Sequence, residues 1–171
     1  MNNLRLIKGT NISSSVTSIS ITNVFTSDFN IYKIIGSNIV TDSGTNDISI
    51  RLLDSSSSAI NETSYAYAIA RLRATGANEV SDTDDTKFTL GMGQSATDFG
   101  LGSVGYIINP FESDTYTYFI SQSAGLSGTE GRAFKYVGAL KKVASATGIQ
   151  IIADTQNITQ ARIEIYGLRV D

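Results

Sequence analysis

The stretch Arg162-Ile163-Glu164-Ile165-Tyr166-Gly167-Leu168-Arg169-Val170 decides the fold. Apolar Ile163 and Ile165 alternate with charged Arg162 and Glu164, a period of two that suits a half-buried strand and would be scattered around a helix. The strict alternation is expected to break at Gly167, because carried onward it would set Leu168 and Val170 on the face of Glu164 and Arg169 on that of Ile163. A glycine at such a change of phase points to a bulge. A strand this apolar invites aggregation at an open edge, so it is expected between earlier strands or under a facing sheet.

The 171 residues fit one domain. Hydrophobic residues are 41% and charged ones 17%, which leaves a surface rich in Ser, Thr, Asn and Gly. A net charge of -3 supplies no basic field for counterion release, so nucleic acid is not an expected partner. No run reaches the roughly 18 apolar residues of a spanning helix, so membrane insertion is not expected. Met1 to Lys8 lacks the apolar core and cleavage site of a signal peptide, which predicts folding in a cytoplasm.

Working outward from the closing strand, Ile149 to Ala153, Tyr116 to Gln122 and Val104 to Asn109 read as strands, the last two as a hairpin around Asn109 to Asp114. Ala133 to Lys142 reads as another, although Leu140, Val143 and Ala144 would also make a short helical stripe. Lys87 to Met92, Ile48 to Leu53, Phe29 to Val40 and Val16 to Phe25 follow the same pattern. In Ser64 to Arg73, Tyr65, Tyr67, Ile69, Arg71 and Arg73 occupy one face and Ala66, Ala68, Ala70 and Leu72 the other. The small alanines would let another layer approach closely, while tyrosine tolerates a partly wet face. Nine or ten strands at this spacing predict an all-β, antiparallel sandwich over residues 15–171. Residues 1–14 read as an N-terminal arm: Leu4, Leu6 and Ile7 cluster beside Arg5 and Lys8, ahead of a hinge from Gly9 to Ser15. A complete core has no need of that cluster, so Leu4, Arg5, Leu6, Ile7 and Lys8 are the expected partner-docking element, removable with little effect on melting.

Chemistry is constrained most by what is missing. With no histidine and no cysteine, nucleophilic triads, zinc sites and histidine acid-base catalysis each lose a required group. Carboxylates remain, and 16 of them spread over loops read as ordinary surface, so no catalytic residue, metal or cofactor is assigned. Asp82, Asp84 and Asp85 fail the EF-hand pattern at Thr86 and Lys87 and read as a solvated acidic loop. Gly91 to Ala96 matches a relaxed dinucleotide fingerprint but is followed by no helix to receive a phosphate. Tyr65, Tyr67, Tyr116 and Tyr118 could offer a glycan-stacking platform; cross-strand packing is the favoured reading.

Several short pieces, in order, carry a resemblance: Ser18 to Lys33, Ile50-Arg51-Leu52, Gly105 to Pro110, Gly148 to Ile151 and Ile165 to Leu168. Together they resemble the jelly-roll structural proteins of tailed bacteriophages, especially those of marine hosts. The resemblance implies a noncatalytic virion component with a jelly-roll sandwich: a capsid decoration protein, with the receptor-binding domain of a tail or head fibre contacting cell-surface glycan as the alternative. The short segment ahead of the sandwich favours decoration. The partners it implies are the major capsid protein or other virion proteins and further copies of the chain, a trimer being the first expectation.

Overall fold

Ile158–Leu168 forms the last strand (β12). The first, Leu4–Ile12 (β1), lies antiparallel along one side of it and Ile31–Thr41 (β3) along the other. The computed structural model that gives these pairings describes residues 3–43, 46–95, 100–127 and 130–169. Along β12, Ala161, Ile163, Ile165 and Gly167 are buried, while Arg162, Glu164, Tyr166 and Leu168 lie on the opposite face. The closing strand is therefore paired on both sides, next to the edge strand β1, with its apolar face turned to the core.

Gly167 does not mark a bulge, since its pairings with Arg5 and Tyr32 run in register. A side chain is excluded there for another reason: a Cβ would lie 2.6 Å from the ring of Phe29. The irregularity opposite this region belongs to β1, between Leu6 and Lys8. It lets Ile7 pack against the core while Leu6 stays outside. The segment expected to be a detached arm is thus a strand of the sheet, because β12 offers it a full ladder and the core a seat for Ile7. Its removal would open the flank of β12, so the expectation of an unchanged melting curve does not hold for this geometry.

The other strands are Ser18–Ile21 (β2), Asn46–Leu53 (β4), Tyr65–Arg73 (β5), Gly76–Asp85 (β6), Phe88–Ser95 (β7), Leu101–Ile108 (β8), Thr117–Ser127 (β9), Glu130–Leu140 (β10) and Gly148–Ala153 (β11). A large sheet runs β6-β5-β10-β9-β8-β3-β12-β1 and a small one β2-β11-β4-β7. Pairing among the described residues is antiparallel except where Val40 and Thr41 of β3 meet Gln94 and Ser95 of β7, joining the sheets. The result is the expected antiparallel sandwich of jelly-roll type, with twelve strands among the described residues. The extra strands are β1 and β6. Residues 133–140 are strand, not helix.

Between the sheets, Ile48, Ile50 and Leu52 of β4 and Ile149 and Ile151 of β11 face Ile34, Ile107, Ile163 and Ile165 of the large sheet, all fully buried. An aromatic cluster fills one end: Phe88 lies 4.7 Å from Tyr65 and 5.2 Å from Phe119, and Phe119 lies 5.5 Å from Tyr136. Buried hydroxyls need partners. That of Tyr32 donates to Thr26 O at 2.9 Å and accepts from Thr26 N at 2.8 Å, fixing the turn before β3.

Replacing Ile165 with Asp should cost about 4 kcal/mol or more, by burying an unpaired charge, and deleting 162–171 should abolish soluble folding. Gly167→Ala should cost about 1–3 kcal/mol by overpacking against Phe29. Urea unfolding checks all three; a truncated chain that still unfolds cooperatively would show β12 to be peripheral.

Candidate functional site

The two outer faces of the sandwich differ in chemistry. On the small sheet one outward row holds Ser20 of β2, Gln150 of β11, Arg51 of β4 and Lys87 beside β7, and the next holds Ser18, Ile152, Ser49 and Thr89. This is a polar face, suited to water. On the large sheet the outward residues run apolar from strand to strand. The ladder aligns Ala68, Val137, Ile120 and Tyr106 in one row that continues through Lys33 and Tyr166 to Leu6. A neighbouring row carries Ala139, Tyr118, Ile108, Ile31, Leu168 and Leu4. Leu6, Leu72 and Val137 are 53%, 57% and 44% exposed.

The local sequence explains the face. In β8 the outward Val104, Tyr106 and Ile108 alternate with inward Gly105 and Ile107, so the strand is apolar in both phases; in β9 and β10 Tyr118, Ile120 and Val137 add the same character. Strands of this kind are normally covered on both sides, and among the described residues only one side is covered. The signal lay in the sequence as apolar residues out of phase with the core set, a pattern that strict alternation overlooks.

The tyrosine residues do not form one platform. Tyr65 is fully buried, its hydroxyl donates to Ile60 O at 2.8 Å, and burial pushes its pKa up to about 12. Tyr67 is half-buried and stacks on Tyr136 at 5.5 Å. Both belong to the inward face of β5, which reverses the expectation that tyrosine would take the wetter side: the alanines and Leu72 face outward instead. Tyr116, just before β9, and Tyr118 within it are exposed, at 42% and 44%.

The expected docking residues divide between surfaces. Leu4 and Leu6 join the outer face, Ile7 turns inward, and Arg5 and Lys8 are exposed along β1. Among the described residues that strand ends the large sheet, and its far side has no ladder partner there. Beside its start, a cleft of about 550 Å³ is lined by Arg5, Arg169, Asp28, Phe29 and Asn3.

Asp82, Asp84 and Asp85 lie on β6 rather than in a loop. Lys141 pairs with Asp84 at 3.2 Å and, with a hydrogen bond from Thr83, holds this exposed carboxyl below its usual range. No group of three or more metal-ligating side chains occurs among the described residues. Gly91 and Gly93 belong to β7, a continuous strand rather than a phosphate-binding turn; Ala96 is outside the described residues. The nearest approach to a reactive cluster pairs Arg71 with Asp47 at 3.7 Å and Lys87 with Asp154 at 2.7 Å, and Ser49 Oγ donates to Asp154 at 3.4 Å. Asp47 is raised above its ordinary value of 3.8, chiefly by burial, against the opposing pull of Arg71.

No family model matches the chain, and no curated protein does. Among solved structures, it aligns with a chain from the disulfide-linked pili of Bacillus endospore appendages at 10% identity, covering 99% of this chain and 96% of that one, with a TM-score of 0.23. An alginate lyase from Alteromonas sp. 272 aligns at 12% identity, over 83% and 73%, with a TM-score of 0.28. The capsid protein VP2 of infectious bursal disease virus aligns at 9% identity, over 99% and 42%, with a TM-score of 0.17. Likenesses this distant carry no argument about activity.

A carboxyl raised on folding binds its proton more readily folded than unfolded, so its contribution improves as pH falls through the window above 3.8. Wild type should therefore gain stability relative to Asp47→Asn between pH 7 and pH 4 in urea titrations. The opposite slope would mean that pairing with Arg71 outweighs burial.

Proposed function

We propose that this chain is a noncatalytic structural component of a bacteriophage virion, a decoration protein on the outer capsid surface. The observation that carries the reading is the apolar outer face of the large sheet, set against the polar face of the small one. A monomer working alone in solution rarely displays so continuous an apolar surface, whereas a subunit of an assembly needs one. The phage resemblance of the sequence turns that general role into a virion role. The capsid-docking element is the open edge of β1, where Arg5 and Lys8 stand exposed beside unpaired backbone groups and an extended segment of a capsid protein could add as a further strand.

The fibre-tip reading has one specific feature in its favour, the exposed pair Tyr116 and Tyr118, whose rings could stack on a sugar.

The experiment mixes purified protein with capsids stripped of it and measures co-sedimentation. Full-length protein should saturate the capsids, and the double substitution Arg5→Glu, Lys8→Glu should weaken binding about tenfold or more while moving the melting temperature by only a few degrees. Equal binding by the double variant would place docking elsewhere. Failure to bind capsids, with retention on host-cell glycan lost in Tyr116→Ala and Tyr118→Ala, would replace decoration by the fibre reading. Hydrolysis of bacterial polysaccharide abolished by Asp47→Asn or Asp154→Asn would overturn the noncatalytic assignment.

A further inference from the structure

We infer that the outer face of the large sheet is covered by the same face of a second copy of this chain, the two sheets stacked about a two-fold axis that runs along β8. The inference builds on the assembly reading above and names the partner of that surface.

Size supports it first. The seven strands that overlap, β5 to β1, about 4.8 Å apart and three outward rows deep at about 7 Å per row, make a patch of roughly 700 Å², close to the roughly 800 Å² each partner contributes to a standard stable interface. Stacked sheets with closely aligned strands are a common packing mode, and a face that meets its own copy closes as a dimer.

Charge then selects the axis. Lys135 of β10 and Glu164 of β12 lie in one row across the sheet, connected through Gln122, Val104 and Ile35. In the strand order β10-β9-β8-β3-β12 they are placed symmetrically, two strands to either side of β8. Lys135 has no ion-pair partner among the described residues. A half-turn about β8 sets Lys135 of each copy toward Glu164 of the other, so one operation satisfies both pairs. Glu164 already accepts from Arg162 and from the Tyr166 hydroxyl within its own chain, so the unmet charge is that of Lys135: an axis between β9 and β8 would oppose it to the apolar Ile35, whereas the axis along β8 brings it to the Arg162–Glu164 pair.

Shape agrees with charge. The same half-turn carries β1 of one copy over β5 of the other. Leu6 and Ala68 belong to the same row, so Leu6, the most exposed apolar residue of β1, comes down on a shallow groove of about 380 Å³ whose lining includes Ala68, Ala70 and Val137, with Glu79, Ser81 and Lys135 at its polar side. The small side chains of β5, which invite a close layer, have no such layer among the described residues. An anionic membrane is the weaker candidate for this face, since Lys33 and Lys135 are the only lysines in its central rows and adsorption to such lipids draws on clustered positive charge.

Sedimentation equilibrium at tens of micromolar should give twice the chain mass. Val137→Glu should yield a monomer whose melting temperature stays within a few degrees of wild type. Lys135→Glu should weaken the dimer about tenfold, and Lys135→Glu combined with Glu164→Lys should restore it. Should Val137→Glu fail to fold, the charge exchange, made at solvent-facing positions, still decides. A monomeric wild type, a trimer, a dimer indifferent to these substitutions, or a monomer that floats with phosphatidylserine vesicles would each overturn the pairing. A monomer that nonetheless binds stripped capsids sinks the two-fold pairing alone; a dimer that ignores capsids and shows the predicted variant effects sinks the virion reading alone.

Discussion

The ladder on both flanks of β12 is the constraint on which the remaining arrangement depends. One side of the strand holds β1 and the other β3, and its inward Ile163 and Ile165 reach the centre of the core. Through β3 the same strand is tied to β8 and, at Val40 and Thr41, to the small sheet. Segments far apart in sequence thus become immediate neighbours, and the cost of closing such long loops is met by burying the isoleucine-rich interior they enclose. Where the ladder is continuous the interior tolerates no extra atoms: at Gly148 an added Cβ would come within 2.4 Å of Ile21 O.

Much of this architecture is legible in the residues, and the illegible parts have identifiable causes. β4, β11 and β12 announce themselves by alternation, and β3, β8 and β9 as apolar runs bounded by turn residues. β6 gives no such signal: of Gly76 to Asp85 only Val80 and Asp85 are even half-buried, so a polar edge strand reads as a loop. β1 looks strand-like but has no visible place in the sequence pattern, since its partner lies about 150 residues further along and its contribution to the core depends on a bulge that no local pattern encodes. β5 is recognised as a strand with its faces reversed. Tyr65 is buried because Ile60 O accepts its hydroxyl proton, a tertiary fact outside any periodicity.

The surface chemistry was less legible for a related reason. The outer face exists only after eight strands have been placed in register, and its members come from segments separated by most of the chain length. Taken singly, Leu6, Ile120 or Val137 is an unremarkable exposed residue. Aligned across the ladder they become a continuous surface. The acidic run of β6, which looked like a motif, resolves into edge protection: negative side chains on the terminal strand of the large sheet discourage further strands from adding there.

The partnership of β1 with β12 also has a consequence in time. A ribosome makes β1 early and its mate about 150 residues later; at ordinary elongation rates that interval is on the order of ten seconds. Throughout it Leu6 and Ile7 emerge without a ladder to join. The positive charges of Arg5 and Lys8 immediately beside them are placed to keep that waiting segment from sticking to other nascent chains, so the same two side chains that line a finished edge also guard an unfinished one.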